Sequence, residues 1–230
     1  MSDTPFHSSS SRDDLIDLGL RAALGLAFAF DAGICLNRAL AQFQAADFGQ
    51  LDARILSHAL AVLAIGLFTL MIACLYALQL RPVRTAPGIW PRAAAILGGF
   101  LMCGLLLLNQ RTDLPLMAQV AASSLVLAGN GFAIYVLTHL GRSFSILPQS
   151  RKLVTSGPYQ VVRHPLYLAE AVATLGAVIE FMSTWALILV IVQFSLQLIR
   201  INYEEYVLGE TFPEYKIYSK QTWRLLPLIY

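Results

Sequence analysis

Pro165-Leu-Tyr-Leu-Ala-Glu-Ala-Val-Ala-Thr-Leu-Gly-Ala-Val-Ile-Glu-Phe-Met-Ser-Thr184-Trp-Ala-Leu-Ile-Leu-Val-Ile-Val-Gln-Phe-Ser-Leu-Gln-Leu-Ile199 reads as two apolar helices with almost nothing between them. The runs Pro165–Phe181 and Thr184–Ile199 are separated only by Met182 and Ser183, so they form a tight hairpin. A hairpin returns both helices to the side on which they started. Residues just before Pro165 and just after Ile199 are therefore neighbours. Both runs are short against the roughly 20 apolar residues that a bilayer core demands, so the hairpin either spans or is partly re-entrant.

Four further apolar stretches precede it: Leu15–Asn37, His58–Leu80, Ala93–Leu108 and Leu114–Thr138. The whole chain has 230 residues, 57% hydrophobic and 13% charged. A soluble domain is nearer 45–50% apolar and about 25% charged, so both departures point to lipid as the solvent. The expected fold is all-α: a polytopic membrane helical bundle of about six transmembrane helices, with a C-terminal helical hairpin and a cytoplasmic tail. A net charge of +2 gives no support for nucleic-acid binding. Cys35, Cys74 and Cys103 are odd in number and contain no CxxC pair, so neither a disulfide framework nor a metal site is indicated.

Basic residues set the orientation. With six spans, one side collects Arg12, Arg81, Arg84, Arg92, Arg142, Arg151, Lys152, Arg163, Arg200, Lys216, Lys220 and Arg224. The other collects Arg38, Arg54 and Arg111, and Arg21 lies within the first span. Both termini are expected in the cytoplasm, and the membrane is expected to be a bacterial inner membrane. The Ser-rich start has no basic n-region and does not read as a signal peptide. Residues 1–14 are expected to be disordered, 15–138 to form four spanning helices, and 139–230 to carry the chemistry. The segment Arg38 to Ser57, with Leu40, Phe43, Phe48 and Leu51, is expected to lie flat at the outer interface.

The densest polar stretch is Gly157-Pro-Tyr-Gln-Val-Val-Arg-His-Pro-Leu-Tyr-Leu-Ala-Glu170. Pro165 suits the first position of a helix, and His164 before it is pushed out of the helical region. Arg163 and His164 thus sit at a helix N-terminus, where free N–H groups favour an anion. Tyr167 and Glu170 share a face. Across the hairpin lies Arg200-Ile-Asn-Tyr-Glu-Glu205, in which Arg200 and Glu204 are spaced to pair. An anion site beside Glu204 and Glu205 would suit a ligand with both a carboxylate and a positive charge, as S-adenosylmethionine has. The same residues would equally serve as an ion-pair network that fixes the hairpin. The stretch Phe212 to Pro227 is aromatic and polar, and would cover the pocket as a lid.

Taken together, Leu140-Gly-Arg-Ser-Phe-Ser145, Gly157-Pro-Tyr159, Val162-Arg-His-Pro165 with Tyr167, Arg200 with Glu204-Glu205, and Phe212 to Tyr218 resemble the isoprenylcysteine carboxyl methyltransferase and phospholipid methyltransferase superfamily. The resemblance covers about Thr138 to Pro227. It implies a membrane-embedded methyltransferase that uses S-adenosylmethionine on a lipid-like or hydrophobic acceptor, such as an isoprenylcysteine carboxylate or a phospholipid amine. It further implies that Arg163, His164, Pro165, Tyr167, Glu204 and Glu205 line the cofactor site, with Leu140, Gly157, Tyr159, Tyr215 and Tyr218 contributing. Arg163 or Arg200 would orient an anionic substrate or the cofactor carboxylate, and Glu204 or Glu205 would serve as the base for an amine acceptor. A related C-terminal pattern occurs in membrane NADPH-dependent steroid and sterol reductases. Leu166 before Tyr167 speaks against that reading, and Glu170 speaks for it. A transporter or scaffold has no support from matching halves with broken helices.

Asp31 and Arg21, inside the first helix, are expected to snorkel or pair with a neighbour. Glu180 is expected at the outer turn. His58 and His139 are expected to be satisfied polar groups at helix ends.

Overall fold

The computed structural model describes residues 11–45, 52–108, 111 and 113–228. Seven α-helices are present among them: α1 (Ser11–Ala45), α2 (Ala53–Leu78), α3 (Trp90–Phe100), α4 (Leu116–Leu140), α5 (Pro165–Phe181), α6 (Thr184–Thr211) and α7 (Tyr215–Gln221). Four of these, α1, α2, α4 and α6, contain stretches long and apolar enough to cross a bilayer. The helical membrane bundle read from composition is thus the observed architecture. The remaining two apolar helices are shorter. α5 has 17 residues, and α3 gives way at Leu101 to a 3-10 segment, Leu101–Leu107, just after Gly98-Gly99. Paired glycines weaken an α-helix, which accounts for the change of winding there.

One boundary moves far from the sequence reading. α1 continues to Ala45, so Arg38 to Ala45 form its last turns and not a flat interfacial segment. Phe48 and Leu51 lie outside the described residues, as do residues 1–10 of the expected disordered start; from Ser11 on, the chain is helical. α6 continues twelve residues past the end of its apolar run at Ile199, which keeps Arg200, Glu204 and Glu205 on the sixth helix at its charged end, as the helical spacing of Arg200 and Glu204 implies.

The hairpin is built as the sequence implies. Met182 takes the left-handed conformation that ends α5 (φ 37°), and its N–H reaches back to Val178 O at 2.8 Å. Ser183 caps α6 through its hydroxyl, which accepts from Ala186 N at 3.1 Å.

α5 packs along α4 at close range. A Cβ on Gly129 would stand 2.5 Å from Ala173 N, and one on Gly176 would stand 2.5 Å from Ala122 O. Small residues at such positions let membrane helices approach backbone to backbone. α1 and α2 form a second pair, with Gly66 admitting Leu36. The buried cluster around Leu24, Phe28, Ile72, Tyr76, Ala95 and Leu137 joins the two pairs and extends to Phe144, Ile146 and Leu147 of the α4–α5 connection. Large apolar side chains such as Leu26, Phe30, Ile188 and Ile191 point outward, as a lipid-facing surface requires.

The basic connector after α2 and the connector after α4 meet in a two-stranded antiparallel ladder, β1 (Arg84–Thr85) with β2 (Gln149–Ser150). The Leu140–Ser145 stretch is tied to the end of α2: Arg142 Nε donates to Leu78 O (2.7 Å) and Gln79 Nε2 to Phe144 O (2.6 Å). Arg21, inside α1, pairs with Asp17 at 2.8 Å and donates to Leu80 O at 3.2 Å. One end of the bundle therefore gathers Arg21, Arg84, Arg142, Arg151, Arg163 and Arg224. Arg111 lies at the other, where its N–H meets Glu180 O.

Candidate functional site

The charge-rich end holds a polar cavity of about 110 Å³. Nine of the residues singled out from sequence line it: Leu140, Tyr159, Arg163, His164, Tyr167, Arg200, Glu204, Tyr215 and Tyr218. Gly157, Pro165 and Glu205 do not. Gly157 and Pro165 shape the backbone that presents their neighbours. Gly157 has φ +61°, and a Cβ there would fall 2.2 Å from the His139 ring, so only glycine fits beneath that imidazole. Pro165 opens α5, and its ring bars the helical conformation at His164, which stays outside the helix.

Glu205 is the hub of an ion-pair network. Its Oε1 accepts from Arg163 Nε (3.0 Å) and meets His164 Nε2 at 3.1 Å, while its Oε2 meets Arg224 Nη2 at 3.0 Å. Arg163 also donates to the Ser219 and Thr222 carbonyls. Of the two roles open to Arg163 from sequence, the geometry favours the network: its guanidinium holds the hairpin and the tail together. The tail docks further through backbone bonds, Arg163 N to Trp223 O (2.8 Å) and Trp223 N to Val161 O (3.0 Å), and through Tyr218 Oη to Tyr159 O (2.7 Å). α7 is thus fastened over the site. Burial pushes the Tyr159 and Tyr215 phenols up, and that of Tyr218 up to about 12, so all three stay neutral at ordinary pH.

Glu204 faces the cavity and accepts a hydrogen bond from the Tyr167 hydroxyl. Its other oxygen stands 3.8 Å from His164 Nδ1. Arg200 is 5% exposed and forms no ion pair with Glu204 among the described residues, contrary to the spacing argument. Its guanidinium lies instead over the Tyr167 ring, 4.9 Å from the centroid, a cation–π contact. Its Nε is buried with no hydrogen-bond partner among the described residues.

Arg200 also borders a second cavity of about 170 Å³ in the middle of the bundle. Phe28, Phe68, Ile72 and Met102 make this chamber apolar, and Asn130, Thr174, Glu170 and Gln193 add polar points. The two cavities share Phe144 and Arg200. Gln193, Gln197, Arg200 and Glu204 form an inward stripe on α6. Gln193 Nε2 donates to Gly98 O (2.9 Å) and Gln197 Nε2 to Glu170 Oε2 (2.9 Å). The two glutamines went unremarked in sequence although their spacing of four, three and four residues to Glu204 marks one helical face. The loop wall beyond the Leu140–Ser145 motif was also missed: Leu147 to Val154 adds lining residues that include Gln149 and Arg151.

The polar points elsewhere have local partners. His58 Nδ1 meets Gln42 Oε1 at 3.2 Å, His139 Nδ1 meets Tyr135 O at 3.0 Å, and Cys35 Sγ lies 3.9 Å from Asp31 Oδ2. Ser123 Oγ reaches Glu180 Oε1 at 3.5 Å. No group of three or more potential metal ligands occurs among the described residues.

Residues 117–215 match the phospholipid methyltransferase family. Over that segment the chain is similar to this family. The matched region runs from the start of α4 to Tyr215, and so takes in both α5 and α6 and most of the cavity wall. The chain is also similar to the nickel-cobalt-cadmium resistance protein NccN of Alcaligenes xylosoxydans xylosoxydans, 37% identical over 81 residues. That alignment covers 34% of this chain and 38% of the relative's length.

Proposed function

We propose that the protein is an S-adenosylmethionine-dependent methyltransferase acting on a lipid-like or hydrophobic acceptor inside the membrane. The observation that carries this reading is the meeting of two unlike cavities at Arg200 and Phe144. A polar cavity among the family motifs suits a charged, water-soluble donor. An apolar chamber in the bundle suits the chain of a lipid. We further infer that the charge-rich end faces the cytoplasm.

The residues present fit such a donor. Arg200 offers a buried donor without a partner, Glu204 a carboxylate, and Tyr159 and Tyr167 ring surfaces for an adenine. When bound, the donor supplies an electrophilic methyl on sulfur. Arg200 and Glu204 would hold the donor, and its methyl would be open to the acceptor's lone pair with sulfur as the leaving group. Alignment of the two ligands across the shared wall is then the main contribution of the protein. A carboxylate acceptor needs no base. An amine acceptor gives up a proton, and Glu204 is the better placed of the two glutamates to take it, because Glu205 is committed to the Arg163 and Arg224 guanidiniums and to His164. Tyr167 holds Glu204 in place by its hydroxyl.

The test is ligand stabilisation of the purified protein in detergent. S-adenosylhomocysteine is expected to raise the melting temperature, and NADPH is expected to leave it unchanged. The reverse pattern would replace this reading with that of a reductase. Glu204→Ala is expected to weaken S-adenosylhomocysteine about tenfold, the loss of one charge-assisted contact.

A further inference from the structure

Arg151 lines the polar cavity from the loop wall and is only 7% exposed. It follows β2 directly and points back beneath the end of α2. Every oxygen bound to it is neutral: Nε donates to Leu80 O (2.8 Å), and Nη2 to Gln79 Oε1 (3.1 Å) and Gln149 Oε1 (2.7 Å). Its Nη1 is buried without a hydrogen-bond partner among the described residues. The neighbouring carboxylate, Asp17, is taken up by Arg21 at 2.8 Å and by Gln149 Nε2 at 3.0 Å.

This arrangement is unlike that of Arg163, whose charge is met by Glu205. A guanidinium does not discharge by losing its proton at ordinary pH, so burying one without a counter-ion is costly. Burial and the nearby Arg21 draw the Arg151 guanidinium down to about 10, and it remains charged at neutral pH. The three neutral oxygens fix its plane and leave the Nη1 hydrogens for something else. An anion entering the cavity would supply both the missing charge and the missing acceptor.

We propose that Arg151 is an oxyanion-receiving residue of this cavity, whose Nη1 takes an oxygen of a carboxylate or phosphate carried by the bound ligand. This rests on the methyltransferase reading only for the ligand's source: the amino-acid carboxylate of the donor, or the head-group phosphate of a lipid acceptor.

The experiment compares native protein with Arg151→Gln and Arg151→Lys in detergent. Two matched pairs of probes are titrated: S-adenosylhomocysteine against 5′-methylthioadenosine, which lacks the carboxylate, and a short-chain phosphatidic acid against the corresponding diacylglycerol. Arg151→Gln is expected to weaken one anionic probe about tenfold to a hundredfold, and to leave its uncharged partner within about twofold. Loss on S-adenosylhomocysteine assigns the donor carboxylate, and loss on phosphatidic acid assigns the lipid phosphate. Both anionic probes binding Arg151→Gln as they bind native protein would overturn the proposal. Should Arg151→Gln not fold, Arg151→Lys keeps the charge but not the fork, and is expected to lose about threefold to tenfold; unchanged affinity there overturns it equally. If native protein ignores S-adenosylhomocysteine but binds phosphatidic acid through Arg151, the methyltransferase reading fails and this one stands. If native protein binds neither anionic probe, the role of Arg151 is refuted.

Discussion

α5 meets its two neighbours in opposite ways. Against α4 it lies backbone to backbone, with Gly129 and Gly176 at the contact and no room for a methyl group. Against α6 it stands off, and the contact is made by side chains: Tyr167 to Glu204 and Glu170 to Gln197, with Arg163 to Glu205 just ahead of the helix. The close face is a rigid backing. The open face leaves the space for both cavities and fills its edges with polar groups that need specific partners. The difference teaches that a single helix can be immovable on one side and chemically available on the other. Precision at Tyr167 and Glu170 comes from the glycine seam behind them.

The largest effect is expected from breaking the seam. Gly176→Val would drive two methyl groups into the Ala122 carbonyl and Val126, and is expected to destabilise by about 3 kcal/mol. Thermal unfolding in detergent would show it as a lower melting temperature, and an unaltered transition would mean that the seam can open. Next comes the open face. Glu205→Ala strands Arg163 and His164, and removing one partner of a buried ion pair costs about 3 kcal/mol in comparable sites; partial exposure lowers that to about 1–2 kcal/mol here. The tail should then be released, so limited proteolysis is expected to cut between Thr211 and Trp223 while α4 and α5 stay protected. A tail as resistant as before would show that the backbone bonds of Trp223 suffice.

The smallest effect is a titration. The Tyr218 phenol is raised from its ordinary value of 10 to about 12 in the folded chain, by burial first. In the unfolded chain it loses its proton near 10. The folded state therefore holds more protons between these values, and stability falls as pH rises through that window. In Tyr218→Phe the fall between pH 10 and 12 is expected to be shallower. Identical slopes would place the titrating group elsewhere.

Much of the fold was legible because lipid imposes a simple code of long apolar runs with charge kept to the ends; the seam at Gly129 and Gly176 was not read from it. The hairpin was readable from Met182 and Ser183 alone, and the crowding of Arg163, His164, Glu204 and Glu205 followed from it. Helix ends were less legible. Apolarity stops at Ile199 because the bilayer stops, yet the i to i−4 ladder has no reason to stop there, and α6 runs on to Thr211. On α1 the same continuation was not read: the helix runs to Ala45, where a flat segment was expected from Arg38 on. The site was legible where residues are close in sequence or linked by the hairpin. Arg151 was not, because its burial is produced by Leu80 and Gln79, about seventy positions away. In the sequence it is one more cation in a polar loop.

The two-residue turn at Met182 and Ser183 also bears on biogenesis. α5 has 17 residues and carries both Glu170 and Glu180, which makes it a poor candidate for entering the bilayer alone. Joined so tightly to the apolar α6, it need not do so. A turn this short suits insertion of the two helices as one unit, which would carry the Gln197–Glu170 contact into the bilayer already paired.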